Sequence, residues 1–187
     1  MLFRLLLAVL ITSGCFGQTL LRVDQYVTTE RSDKRRTLPT SDVSFQQNLF
    51  GKVGMFAWGQ VSPTYRQTYA GASYQFTSWL QAGVGGGIEQ ADSMARLGSF
   101  LYMSKGSNSF SCLYENGGSG QWHSAVYNHR IGKGRFGVGV FNQTRMGTGP
   151  RAEVNFGRFK VWTAPLWEND GHNVRYGVRY TYLKSRR

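Results

Sequence analysis

The chain has 187 residues, enough for one domain and little more. With 14% aromatic and only 17% charged residues, and with 24 glycines against 4 prolines, it is neither a disordered chain nor a long helix or coiled coil. The net charge of +12 raises nucleic-acid binding as a class, but the basic residues are spread over many segments with no recognition motif, so no nucleic-acid partner is expected.

Residues 1–17 read as a signal peptide. Arg4 supplies the positive end, and Leu5 to Ile11 form an apolar run far shorter than the roughly 18 residues a membrane-spanning helix needs. Two processing sites fit: cleavage after Gly17, or a lipobox-like Thr12-Ser13-Gly14-Cys15 with Cys15 lipidated. Cleavage after Gly17 removes one Arg and no acid, leaving +11 and a lone Cys112, so no disulfide framework is available. No Cys/His spacing suggests a metal site, and no cofactor is expected.

Residues 18–48 hold Arg31, Lys34, Arg35, Arg36, two Thr pairs and Pro39, with little periodicity. They read as a flexible basic periplasmic lead-in, with room for a short strand at Leu20–Thr28. The basic cluster is either a solvated arm or a contact for anionic lipid or lipopolysaccharide. Residues 49–187 read as the folded domain.

From Lys52 onward the period is 2, the signal of strands, in about ten runs. Leu80, Ala82, Val84, Gly86 and Ile88 alternate with Gln81, Gly83, Gly85, Gly87 and Glu89. Phe136, Val138 and Val140 alternate with Arg135, Gly137 and Gly139. Ala152, Val154 and Phe156 alternate with Arg151, Glu153 and Asn155. The last run is the cleanest: Val174, Tyr176, Val178, Tyr180 and Tyr182 against Arg175, Gly177, Arg179 and Thr181. Runs 52–61, 65–76, 107–115 and 121–130 are ambiguous. Many runs have 9–12 residues, longer than the ~5–6 of soluble strands and matched to the ~9–11 of a tilted transmembrane strand. In hydrocarbon an open sheet edge is untenable, so such a sheet must close. Alternate turns differ modestly in length, which fits an even strand number with both termini on one side. None has room for a long gating loop.

Aromatics gather near run ends: Tyr65, Trp79, Tyr114, Trp122, Trp162, Trp167 and Tyr182. This is the pattern of interfacial girdles, where amphipathic rings sit at headgroup level.

The pattern over roughly 52–182 resembles the bacterial outer-membrane β-barrel superfamily, porin-like, in its small members. The terminal alternation Val174-x-Tyr176-x-Val178-x-Tyr180-x-Tyr182 is similar to that family's assembly signal, although Leu183 to Arg187 follow the last aromatic here. The resemblance implies an all-β, antiparallel, up-and-down transmembrane β-barrel of about ten strands, with eight as the alternative. It also implies a bacterial outer-membrane location, and outer-membrane lipid, lipopolysaccharide and the barrel-assembly machinery as partners.

If the apolar face meets lipid, the lumen holds Arg96, Arg135, Arg151, Arg158, Lys160, Arg175 and Arg179 against two acids, Glu89 and Glu153. Such charges need water, anions or acidic partners. The inner-face glycines leave either space beside long Arg and aromatic side chains or an open channel. Two non-enzymatic functions follow: a structural envelope protein with a plugged interior, or a narrow pore that prefers small anionic solutes. The alternative is a soluble periplasmic or secreted barrel of inverted polarity that carries an apolar ligand.

A lipid-modifying hydrolase is the lesser possibility. Asn128-His129-Arg130-Ile131 superficially resembles the N-H-x-S motif of the outer-membrane phospholipase, but Ile131 stands where the nucleophile belongs. His123 is followed by Ala125 at the same spacing. His172, in a turn beside Asp170, has no Ser in a matching position. No catalytic residue is expected, though a nucleophile from another strand would serve equally, since triads assemble in space.

Overall fold

The computed structural model describes residues 19–31, 36–168 and 171–184; the expected signal peptide and Cys15 lie outside them. Twelve strands run through the described residues. They are β1 Thr19–Arg31, β2 Arg36–Phe50, β3 Val53–Val61, β4 Arg66–Thr77, β5 Leu80–Glu89, β6 Ala95–Lys105, β7 Asn108–Gly117, β8 Gly120–Ile131, β9 Phe136–Gln143, β10 Gly147–Phe156, β11 Phe159–Glu168 and β12 Gly171–Lys184. Each is antiparallel to its chain neighbours, and β1 pairs with β12 to close the barrel.

The strand number corrects the expectation of ten, or eight. The ten runs from residue 52 onward correspond to β3–β12. The two further strands come from residues 18–48, expected as a lead-in. In β1, Arg22, Asp24, Tyr26 and Thr28 alternate with Val23, Gln25 and Val27, but charge and threonine content hide the period. In β2, Pro39 argues against a strand because it lacks a ladder donor. Here Pro39 pairs with Val27 of β1, but lies beyond the last β2–β3 pair, Ser41–Val61, where no second neighbour needs its missing N–H. Of the basic cluster, Arg31 ends β1 and Arg36 begins β2, at the end of the barrel away from the termini; Lys34 and Arg35 lie outside the described residues.

The ladder settles which face is inside. Val138, Val140, Val161, Val174, Tyr176 and Val178 point outward, each keeping between 40% and 47% of its surface open. Gln81, Glu89, Arg96, Glu115, Asn128, Arg151, Glu153 and Arg175 are buried in the interior. Apolar side chains outside and polar ones inside is the polarity of a barrel solvated by lipid. It is the reverse of what a carrier of an apolar ligand requires, and that alternative is set aside.

Connections are short at both ends. The terminus-side turns are 51–52, 78–79, 106–107, 132–135 and 157–158, and on the far side 62–65, 90–94, 118–119 and 144–146 are described. Strand-borne side chains fill most of the bore, joined by Tyr65, Ser119, Ser62 and Met146 from the far-side turns. Inner-face glycines make the room. A Cβ on Gly87 would lie 2.3 Å from Tyr69 Cβ, and one on Gly98 would lie 3.1 Å from the Tyr69 ring. Tyr69 thus lies across two neighbouring strands and its hydroxyl donates to Glu115 Oε1 at 3.1 Å.

A branched side chain at Gly98 should displace Tyr69. Gly98→Leu is expected to destabilise the barrel by about 1–3 kcal/mol, the usual cost of overpacking. Outward-facing Gly86, whose added Cβ meets nothing nearer than 3.9 Å, should accept Leu without loss. The temperature at which the folded band converts to the unfolded band on a semi-native gel measures both.

Candidate functional site: the lumen and its constriction

Two ionic clusters line the bore. Near the far end, Arg96 donates from Nη1 to Glu89 Oε2 at 2.8 Å and from Nε to Glu115 Oε2 at 2.8 Å. The register explains the meeting: Arg96 faces Gly87 and Gly117, and Gly98 faces Glu115, so glycine leaves the guanidinium unobstructed between two acids. Tyr65 and Ser119, from the far-end turns, donate hydroxyls to Glu89 Oε2. Burial and then the hydrogen bond to Glu89 push the Tyr65 phenol up to about 12, so it remains a donor at any ordinary pH.

Nearer the termini, Glu153 takes Lys160 Nζ at 2.5 Å and Arg151 Nε at 3.6 Å. Arg179 Nε meets Asp24 at 2.7 Å. Arg151 also stands over Trp162, 4.1 Å from the ring centroid, where a desolvated cation–π contact contributes about 2 kcal/mol.

Two cavities enter the bore and meet at a waist. A cavity of about 490 Å³ reaches in from the terminus side past Trp79, Leu183 and Arg22, and one of about 140 Å³ from the far side past Ser62 and Met146. They share four residues: Tyr26, Gln60, Gln143 and Arg175. The Arg175 guanidinium lies 4.2 Å from the Tyr26 ring centroid. Its Nε donates to Thr28 Oγ1 at 3.1 Å and its Nη1 to Gln143 Oε1. Gln60 Nε2 donates to the Tyr26 hydroxyl at 2.8 Å, and that hydroxyl faces Asp42 Oδ1 at 3.4 Å. All of Arg175's hydrogen-bond partners among the described residues are neutral, and it forms no direct ion pair there; the Asp42 carboxylate stands behind the Tyr26 hydroxyl, on the far side of the ring that Arg175 covers.

The basic residues expected in the lumen therefore divide. Arg96, Arg151, Lys160, Arg175 and Arg179 line it, and Glu89 and Glu153 both pair with them. Arg135 and Arg158 stand exposed in the terminus-side turns 132–135 and 157–158, with Arg158 over the Tyr182 ring at 5.5 Å. Asp24, Asp42 and Glu115 add acids that sequence reasoning did not place inside. Asp24 and Asp42 fell in the supposed lead-in, and Glu115 in an ambiguous run. The signal was present in the parity that Asp24 and Tyr26 share with Arg22. The interior is thus close to charge balance instead of presenting one basic wall.

Of the aromatics expected at the interfaces, Tyr114 and Trp167 are exposed on the outer wall and Trp79 stands in a terminus-side turn. Tyr182 is outward and half-buried. Tyr65, Trp122 and Trp162 turn inward: Tyr65 to Glu89, Trp122 to the large cavity, and Trp162 to Arg151.

A closed antiparallel barrel with an apolar outside, a polar bore and a waist defines a porin-like fold. Among solved structures, the chain is similar to the KdgM porin, at 12% identity over 86% of this chain and 99% of that one, with a TM-score of 0.59. The KdgM porin in complex with disordered oligogalacturonate aligns at 12% identity over the same shares, with a TM-score of 0.60. A third structure, from work on in-meso crystallization of membrane proteins, aligns at 11% identity over 87% and 83% of the two chains, with a TM-score of 0.54. At such identities the likeness is one of fold. No protein-family model matches the sequence, and no curated protein does.

The far-end cluster yields a stability test. Arg96→Met leaves two buried carboxylates without their cation and should destabilise the barrel by about 3–5 kcal/mol. Adding Glu89→Gln and Glu115→Gln in the same chain should recover most of that loss. Urea unfolding in detergent micelles, followed by tryptophan fluorescence, compares the two.

Proposed function

We propose that this chain is a narrow outer-membrane pore that favours anionic solutes and selects them at Arg175. The observation that carries the reading is the waist itself: a guanidinium without a carboxylate partner among the described residues, held where the two cavities meet. A fixed positive charge in a low-dielectric constriction lowers the barrier for anions and raises it for cations. The wider cavity supports the same direction, since Arg22 Nε and Arg151 Nε are buried without a hydrogen-bond acceptor among the described residues. The similar KdgM porin, whose complex holds an oligogalacturonate, suggests that an extended carboxylate-bearing chain is a suitable kind of solute.

The outer wall accounts for the expected partners. Its apolar strands suit outer-membrane lipid and lipopolysaccharide. The outward alternation Val174, Tyr176 and Val178 on β12 suits recognition by a barrel-assembly machinery. A second reading, a plugged envelope protein, draws on the anchoring of Arg175 to Thr28, Gln143 and Tyr26, which closes the waist in this conformation.

Conductance in planar bilayers separates the two. In a salt gradient the pore should show a reversal potential of anion-selective sign. Arg175→Glu should reverse that sign, and Arg175→Ala should raise conductance and weaken selectivity. A protein silent both as wild type and as Arg175→Ala is a plug, and a reversal potential unmoved by Arg175→Glu removes Arg175 as the selector.

A further inference from the structure

On the outer wall, at the far end of β8 and β9, three side chains form a connected triad that the pore does not use. His123 Nε2 lies 2.7 Å from Asn142 Oδ1, and His123 Nδ1 lies 2.8 Å from Thr144 Oγ1. None of the three lines either lumen cavity. From this geometry we infer that Thr144, His123 and Asn142 are a nucleophile, its general base and the residue that orients the base, forming a lipid-facing site for hydrolysis of acyl esters.

The hydrogen bonds fix the roles. Asn142 Nδ2 donates to Thr148 Oγ1 at 2.5 Å, which turns Oδ1 toward the imidazole. Oδ1 accepts only, so the ring carries its proton on Nε2 and presents a bare Nδ1 to the Thr144 hydroxyl. The Thr144 oxygen accepts the backbone N–H of His123 at 2.8 Å, which leaves the hydroxyl proton for Nδ1. The competing acceptor, the His123 carbonyl, is farther away at 3.4 Å. A hydroxyl on a base whose other nitrogen is held by a third group is the arrangement that activates a nucleophile.

The backbone adds a second, independent feature. Arg145, next after Thr144, has a φ of +64°, a conformation that L side chains rarely adopt and that concentrates at functional sites. The backbone hydrogen bonds of this turn run from Thr144 N to His123 O and from Met146 N to Gln143 O, and the Arg145 amide is in neither. The amide following a nucleophile on a strained turn is a recurrent oxyanion donor. The exposed Arg145 side chain stands beside it for an anionic headgroup.

Position selects the substrate class. Tyr114 is the cross-strand partner of His123, and Trp167 is that of Thr148; both are exposed on the outer wall. Interfacial aromatics of this kind mark the level at which lipid ester groups meet water. From Asn142 toward mid-barrel, the same face of β9 presents Val140, Val138 and Phe136, an apolar track for an acyl chain. In the reaction, Thr144 Oγ attacks the ester carbonyl as its proton passes to His123 Nδ1. The tetrahedral oxyanion collapses with scission of the ester C–O bond, and His123 returns the proton to the leaving alcohol. Water, deprotonated by His123, then cleaves the acyl-Thr144 ester, releasing the fatty acid and restoring the hydroxyl.

The test uses the full-length detergent-folded barrel, with p-nitrophenyl decanoate and a diacyl phospholipid in mixed micelles as probes. Cold semi-native gels verify that every variant is folded. Turnover should fall by about 100-fold or more in His123→Ala and Thr144→Val, the scale of general-base catalysis. Thr144→Ser should retain it, and His129→Ala, outward on the same strand, should leave it unchanged. In Asn142→Ala, kcat should drop with KM unchanged, and Asn142→Asp, which keeps an acceptor for Nε2–H, should restore it. A fluorophosphonate probe should label Thr144. Cleavage of the phospholipid as well as the synthetic ester makes membrane lipid the substrate, and cleavage of the synthetic ester alone points to another acyl amphiphile. Wild-type turnover no higher than that of His123→Ala, activity surviving in folded Thr144→Val, or a label on another residue overturns the proposal.

Discussion

Everything in this barrel depends on the pairing of its first strand with its last. A sheet in hydrocarbon cannot leave N–H and C=O groups unmatched along an edge, and the ladder from Thr19–Lys184 to Arg31–His172 removes the two edges the meander leaves open. Closure fixes the interior register as well. Tyr26 enters the waist opposite Gly177 because β1 and β12 meet in that register, and Arg175 then falls beside Thr28. Moving β1 by one residue along the seam would turn Arg22, Asp24 and Tyr26 out into lipid.

Inside, most of the lumen's charges are neutralised locally among the described residues; Arg22 and Arg175 form no ion pair there. Arg96, Lys160 and Arg179 each find a carboxylate on a neighbouring strand, Arg151 meets Glu153 on its own strand, and the cross-strand contacts tie the wall together. Arg175 is held differently, by an aromatic face and neutral acceptors, and so keeps its field. Selectivity in a narrow bore needs one such charge at the tightest point more than it needs a crowd of them.

Much of the fold was legible because lipid-facing strands alternate and run long. β5 and β12 stand out for that reason: valine, tyrosine and isoleucine occupy one parity, and glycine and arginine the other. β1 and β2 were hidden because their inward positions carry Arg, Asp and Thr and because Pro39 reads as a strand breaker until the length of its neighbour is known. Losing those strands lost Asp24 and Asp42, and with them the interior charge balance. Periodicity also could not say that Trp122 and Trp162 belong inside, since an aromatic near a run end has the same sequence signature whether it faces lipid or stacks beneath an arginine. His123 lies on β8, some twenty residues before Asn142 and Thr144 at the end of β9, and the β8–β9 ladder brings them together.

The short turns carry a consequence for life at a cell surface. On the far side, no described connection exceeds five residues, so little chain rises above the wall. In the outer-membrane placement proposed above, the described turns would offer proteases few flexible cleavage sites, and phage tail fibres and antibodies few prominent epitopes.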